Sequence, residues 1–201
     1  MVFPLVLAHL KAELARPDPW RLESNAFEQR RYDVMMSMLR DEGPFDSGLE
    51  IGCAAGAFTA RLVECCATLR VVDLLPEALA RCRARLGDVQ KVRYTVADTS
   101  ETAGWGETYD IIVVSEVLYY LGGRSAVRTA MRNIERLMRP QGILLFGSAV
   151  DAVVRRWGLV CGAETVTEEW SRTLDIVEQR LCTGRTPTEH ALLVKFRRPR
   201  T

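Results

Sequence analysis

The 201-residue chain is poor in the features that mark several functional classes. It has almost no net charge: 27 Lys and Arg against 26 Asp and Glu leave +1, which removes the electrostatic case for a dedicated nucleic-acid or anionic-membrane binder. It has only two histidines, His9 and His190, and neither has Cys or acid neighbours at metal-ligand spacing, so no metal site is expected. Six cysteines occur without a CxxC pair and read as reduced, mostly buried thiols of a cytoplasmic protein. No long apolar run is present. The early stretch Val2 to Leu10 is too short to span a bilayer, is broken by Pro4 and His9, and lacks a preceding basic segment, so neither membrane insertion nor a signal peptide is expected. There is no Walker-type GxxxxGK[ST], which leaves nucleoside triphosphate hydrolysis without support. Repeats and Gly/Ser linkers are absent too, so one domain is expected.

What is present is an alternation of strands and helices. Pro17 and Pro19 interrupt the start. Asn25 and Glu28 have capping-box spacing, and Phe27, Arg31, Val34, Met35 and Met38 recur at helical intervals, which predicts a helix from Ala26 to Arg40. From Gly48 the pattern predicts a strand end at 49–52, a helix at 57–67, a strand at 69–74, a helix from Pro76 to Leu86 and a strand at 92–97. The run Tyr109 to Ser115 (YDIIVVS) reads as a central strand covered on both faces. A helix at 124–138 follows, then a turn at Arg139-Pro140-Gln141-Gly142 and a strand at 143–147. Two strand-like runs, 175–182 and 190–197, predict an antiparallel pair. The fold class implied is α/β: a mainly parallel sheet with an antiparallel C-terminal hairpin and helices on both faces. Right-handed crossovers place the first and fourth strands together, opening a cleft at their carboxyl ends.

Candidate site residues cluster at those ends. Gly52, Ala54 and Gly56 form a small-residue turn leading into a helix N-terminus. Such turns also serve packing alone. Asp73 ends the second strand, where a carboxylate can accept from a ribose diol. Asp98, with Thr99 beside it, follows the third strand and could meet an adenine amino group. Glu50 sits at the end of a buried strand, where it either orders the glycine turn or faces a cationic ligand. Each acid alone reads as a cap or a solvated group, but together they point to a nucleotide-like ligand. The turn fits a dinucleotide GxGxxG only as GxAxxA, and fits acid-x-Gly-x-Gly-x-Gly with Ala54 at one glycine.

The set Glu50-x-Gly52-x-Ala54-x-Gly56, Asp73, Ala97-Asp98, Tyr109-Asp110-Ile111-Ile112 with Ser115-Glu116, and Leu137-x-x-Pro140-x-Gly142 resembles the class I S-adenosylmethionine-dependent methyltransferases over about Phe45 to Gly147. The resemblance implies a Rossmann-like sheet and S-adenosylmethionine as cofactor. It puts the turn at Gly52 against the methionine part, Asp73 and the adjoining Leu74 at the ribose, and Asp98 and Thr99 at the adenine. Ala54 departs from the pattern. Nearly the whole chain also resembles the rhizobial nodulation protein S family of N-methyltransferases, through Asp18 to Ser24, Glu28 to Tyr32 and Ser115 to Leu121. That implies a chitooligosaccharide acceptor with a free amine.

On this resemblance, residues 1–44 form an N-terminal helical lid, 45–148 a cofactor-binding core, and 149–201 a C-terminal helix and antiparallel strand pair. Trp20 would lid the pocket, Arg31 would reach the methionine carboxylate and Ser115 would contact cofactor. Glu116 and Tyr119 are the candidates for orienting the acceptor amine, and Tyr120 for binding substrate. The bland alternatives are a packed Trp20, a surface ion pair for Arg31, a capping Glu116 and half-buried tyrosines. The clusters Arg81-x-Arg83-x-Arg85 and Arg197-Arg198-Pro199-Arg200 read as solvated surface. A nicotinamide-dependent reductase, a silent cofactor-binding module and a methyltransferase for another small metabolite remain as alternatives. The sequence does not indicate an oligomeric state.

Overall fold

A computed structural model describes residues 4–99 and 105–200. Seven strands form one sheet: β1 (Phe45–Ile51), β2 (Cys66–Asp73), β3 (Val92–Val96), β4 (Tyr109–Ser115), β5 (Met138–Ala149), β6 (Asp175–Thr183) and β7 (His190–Arg197), in the order β3-β2-β1-β4-β5-β7-β6. The first five are mutually parallel, and β7 runs antiparallel between β5 and β6. β1 and β4 are adjacent, with Ile51 opposite Val114, so the crossover reverses there as the chain order predicts.

β4 shows why both faces must be covered. Its alternate residues Ile112 and Val114 belong to a core cluster with Val127, Met131 and Ile134 of α5 (Arg124–Leu137) and Val166 and Trp170 of α7 (Ala163–Trp170). Ile111 and Val113 belong to a cluster on the other face with Met35 and Met38 of α2 (Ala26–Leu39) and Leu79 of α4 (Pro76–Leu86). Each large apolar side chain buried this way contributes about 1.5–3 kcal/mol relative to exposure. α5 delivers its share because Val127, Ala130, Met131, Ile134 and Leu137 recur on one stripe and all are buried.

Several boundaries differ from the sequence pattern. The helix expected over 57–67 is a single turn, α3 (Thr59–Leu62), followed by a 3-10 turn, and β2 already begins at Cys66. Pairing of Phe45 with Cys66 and the close fit of Cys66 Sγ over Gly48, 2.6 Å from where a Cβ would stand, override the local preference for helix. Cys65 is half-buried in that 3-10 turn rather than in the core. The expected turn at 139–142 lies inside β5 as a bulge: Tyr109 pairs with Met138, then Ile111 with Ile143. Gln141 is left-handed there (φ 63) and Arg139 Nη1 holds Asp110 Oδ1 at 2.7 Å. Two helices, α6 (Asp151–Arg156) and α7, stand where one was expected before the C-terminal strands.

The N-terminal segment is α1 (Pro4–Leu14), a 3-10 turn at Pro19–Arg21, and α2. Asn25 caps α2 by accepting from Phe27 N at 2.9 Å, but Glu28 does not complete a capping box: its carboxylate goes to Arg31. No helix among the described residues is long and apolar enough to cross a membrane.

Candidate active site

The carboxyl ends of β1, β2 and β4 converge on the turn after β1. Gly52 is left-handed (φ 82), and a Cβ on it would stand 2.2 Å from Val117 Cγ2. Gly56 (φ 79) has Cys82 Sγ 2.8 Å and Cys82 Cα 3.0 Å from its would-be Cβ, so this turn can press against α4 only without side chains. Ala54 keeps the left-handed conformation (φ 48) despite its methyl group, a strain of about 1–2 kcal/mol. Asp73 holds it there: Oδ2 accepts from Ala54 N at 3.2 Å and Oδ1 from Leu75 N at 2.9 Å. Burial nevertheless raises the Asp73 pKa above the usual carboxylate value. Leu74 lies between Asp73 and Leu75 in the bend that leads into α4. Ala97 N donates to Asp73 O at 3.1 Å, which sets half-buried Asp98 and buried Thr99 beside the same strand end.

Glu50 is 3% exposed, and its Oε2 has no hydrogen-bond partner among the described residues. Burial pushes its pKa up to about 8, with Cys82 and Asp73 adding to the rise and Thr59 opposing it. The folded state therefore holds this proton more tightly than the unfolded chain. The contribution to stability is full below the ordinary value of 4.5 and is lost as pH rises towards about 8. Glu50→Gln, which keeps the shape without the charge, is expected to match the parent at pH 5. At pH 9 it should be more stable, the gap opening at up to about 1.4 kcal/mol per pH unit between the two values. Urea unfolding at the two pH values measures this.

A second cluster joins α2 to the end of β4. Arg31, 1% exposed, donates from Nη2 and Nε to Glu28 Oε2 at 2.6 and 2.9 Å, and from Nη1 to Ser115 Oγ at 2.7 Å. Its Nη1 also lies 3.7 Å from Glu116 Oε1. Burial alone would disfavour the guanidinium charge, but Glu116 and Glu28 reverse that and hold the pKa above the ordinary arginine value. Glu116 is itself left-handed (φ 56), a conformation that costs a non-glycine residue energy and that packing must impose. Its backbone N donates to Gly147 O at 2.9 Å and its Oε2 accepts from Ala149 N at 3.1 Å. Burial raises its pKa; Arg31 counters this, Glu28 adds to it, and the hydrogen bond from Ala149 N also lowers it.

Tyr119 is buried, and burial with Glu116 alongside drives its pKa well above 10, so it is a phenol donor at neutral pH. Tyr120 stacks on it at 4.5 Å between centroids, and burial brings its pKa to about 12. Trp20 approaches from the 3-10 turn, left-handed (φ 51) like its neighbour Arg21 (φ 57), with a buried Nε1 that lacks a partner at bonding distance. Asp18 secures the turn by accepting from Glu23 N and Ser24 N at 3.0 and 2.9 Å.

The structure thus brings Arg31, Ser115, Glu116 and Tyr119 into one cluster, with Tyr120 stacked on it. Glu50, Gly52, Ala54, Gly56, Asp73, Leu74, Asp98 and Thr99 surround the neighbouring turn. Arg31 is not a surface ion pair, and Glu116 does cap a backbone amide while also facing Arg31. Sequence reasoning missed Glu28 as the half-buried counter-ion of Arg31, although its i,i+3 spacing was available. It read Arg81, Arg83 and Arg85 as solvated surface, and Arg83 and Arg85 are indeed exposed, while Arg81 is half-buried. Arg81 instead takes the carbonyl oxygens of Leu14, Arg16 and Pro17, and Arg85 Nε donates to Ala55 O at 2.7 Å while its Nη2 pairs with Glu23. Arg197 and Arg198 are likewise occupied, by Glu42 and by the carbonyls of Glu135 and Met138. No metal-holding group of His, Cys, Asp or Glu occurs among the described residues.

The turn at Gly52, which has no room for a Cβ, and the buried Glu50 oxygen without a partner among the described residues lie at the same strand end. The chain matches the family model of nodulation protein S (NodS) over residues 6–201. Nodulation protein S of Sinorhizobium fredii (strain NBRC 101917 / NGR234) is 45% identical over 192 residues, covering 96% of this chain and 88% of the relative. That of Bradyrhizobium diazoefficiens is 43% identical over 190 residues, covering 94% and 90%. The crystal structure of the N-methyltransferase NodS from Bradyrhizobium japonicum WM9 in complex with S-adenosyl-L-homocysteine superposes with a TM-score of 0.94 at 42% identity, covering 96% of this chain and 98% of that one. The chain belongs to the nodulation protein S family of S-adenosylmethionine-dependent methyltransferases.

Proposed function

We propose that this chain methylates the free amine of the deacetylated, non-reducing-end glucosamine of a chitooligosaccharide, using S-adenosylmethionine. The observation that carries the reading is the carboxylate of Glu116 at the end of β4, accepting from Ala149 N and facing the Arg31 guanidinium. Gly52, Ala54 and Gly56 would hold the methionine part of the cofactor, Asp73 and Leu74 its ribose, and Asp98 and Thr99 its adenine. Trp20, Arg31 and Ser115 would close over the methionine end, with the segment up to residue 44 acting as a lid. Bound there, the sulfonium supplies an electrophilic methyl group.

The protein's own contribution is placement, because transfer to nitrogen is an in-line displacement whose rate depends on alignment. Glu116 accepts a hydrogen bond from the amine N–H and turns the nitrogen lone pair towards the cofactor. The raised pKa that burial gives Glu116 suits it to take the proton the product ammonium sheds. Tyr119, fixed as a donor, stands beside that carboxylate. Trp20 excludes water.

Calorimetric titration with S-adenosylhomocysteine, run beside NADH, tests the cofactor half of the reading. Binding of the first and silence of the second is expected, whereas NADH binding alone overturns it. The acceptor half is tested by localising the methyl group transferred to a chitotetraose with one free amine.

A further inference from the structure

Trp157 is an aromatic beside Tyr119 whose ring is partly open to water. It is 45% exposed, whereas Trp170 is fully buried between Phe146 and Phe196 and half-buried Trp105 lies under the Arg70 guanidinium. Its position is built rather than incidental. α6 leaves the end of β5 directly after Ala149, whose amide holds Glu116, so α6 starts at the carboxyl end of the sheet. The helix stops in a Schellman motif: Gly158 is left-handed (φ 72), Gly158 N donates to Arg155 O and Leu159 N to Val154 O, both at 3.1 Å. Leu159 then packs inward beside Val153 and Val154, and Trp157, at the cap, is left facing outward. Asp151 at the other end of α6 clamps the helix to α7 by accepting from Thr165 N at 3.3 Å and Thr165 Oγ1 at 2.5 Å.

The indole meets the site edge-on. Its centroid is 5.6 Å from that of Tyr119 in a T-shaped contact, and Tyr119 is three residues from Glu116 in the segment that follows β4. An exposed, rigidly capped tryptophan one ring beyond the group that orients the acceptor is a prepaid contact surface: little side-chain freedom is lost on binding. A pyranose presents a flat face of C–H groups that complements such a ring, with its hydroxyls left at the edge for water.

We infer that Trp157 is a specificity residue that stacks on the second sugar of the acceptor and makes the enzyme prefer an oligosaccharide to a single amino sugar. The inference rests on the acceptor reading above. The test compares two acceptors, chitotetraose with one free amine on its non-reducing sugar and glucosamine itself, for the parent, Trp157→Ala and Trp157→Phe. Trp157→Ala should raise KM for the tetramer about tenfold, the loss of one stacked aromatic anchor, with kcat within about twofold. KM for glucosamine and affinity for S-adenosylhomocysteine should not move. Trp157→Phe, which keeps a ring on Tyr119, should recover most of the tetramer KM. Tetramer titration in the presence of S-adenosylhomocysteine should change tryptophan fluorescence in the parent and not in Trp157→Phe. An unchanged tetramer KM in Trp157→Ala, or an equal loss on both acceptors, overturns the role of Trp157 while leaving the acceptor reading intact. A parent that binds S-adenosylhomocysteine and methylates neither acceptor overturns both.

Discussion

Arg31→Met is expected to lower folding stability by about 1–3 kcal/mol at pH 8, the cost of leaving two half-buried acids without their cation. Arg31 is 2% exposed as a side chain, against 18% for Glu28 and 25% for Glu116, and it touches both. Methionine fills similar volume, so the loss isolates the charge rather than a cavity. The deficit should shrink with falling pH. Without Arg31 the already raised Glu116 pKa rises further, and once Glu116 is protonated one of the two charges facing Arg31 is gone. Chemical denaturation at pH 8 and pH 5 measures both statements. A variant as stable as the parent at pH 8 would mean that the cluster is not the electrostatic keystone described here. Glu116→Gln in the Arg31→Met background should recover part of the loss, because it removes one of the two orphaned charges.

Asp73→Ala is expected to have the largest effect on cofactor affinity, weakening S-adenosylhomocysteine binding by about 1.5–3 kcal/mol through lost charge-assisted hydrogen bonds. Two losses combine. The ribose contact proposed for Asp73 disappears, and Ala54 N and Leu75 N lose the acceptor that holds the left-handed turn in place. Asp73→Asn retains one acceptor oxygen and should fall between the two. Calorimetric titration reads the affinities, and thermal unfolding separates loss of the turn from loss of the fold. A folded Asp73→Ala protein with parental affinity would sink the ribose assignment.

The parts of the fold that were legible in sequence are those governed by local pattern. The β-branched run from Tyr109 to Ser115 and the strand from His190 to Arg197 form with the boundaries their composition implies. So does the proline-started helix from Pro76 to Leu86. The parts that were not legible depend on distant partners. Ala67 favours a helix, but Cys66 and Thr68 are taken up by Phe45 and Ser47 across the sheet. The bulge at 139–142 looks like a turn because its backbone does turn; only the ladder with Tyr109 and Ile111 places it inside β5.

The same division applies to the site. That Gly52, Asp73 and Glu116 stand at the ends of β1, β2 and β4 was legible from their spacing. The contacts of Arg81 and Arg85 were not, because the carbonyl oxygens they hold, from Leu14 to Pro17 and at Ala55, are remote in sequence or in a turn. They pin the N-terminal segment and the glycine turn to the same face of α4, and their i,i+4 spacing was the available clue.

The measurement that bears most directly on the central claim is mass-spectrometric localisation of methyl transfer from S-adenosylmethionine. The acceptors are chitotetraose with a free amine on the non-reducing sugar and fully N-acetylated chitotetraose. The account predicts one added methyl group on the terminal nitrogen of the first and no product from the second. Methylation of the acetylated oligomer, or methyl on oxygen in the first, would contradict it.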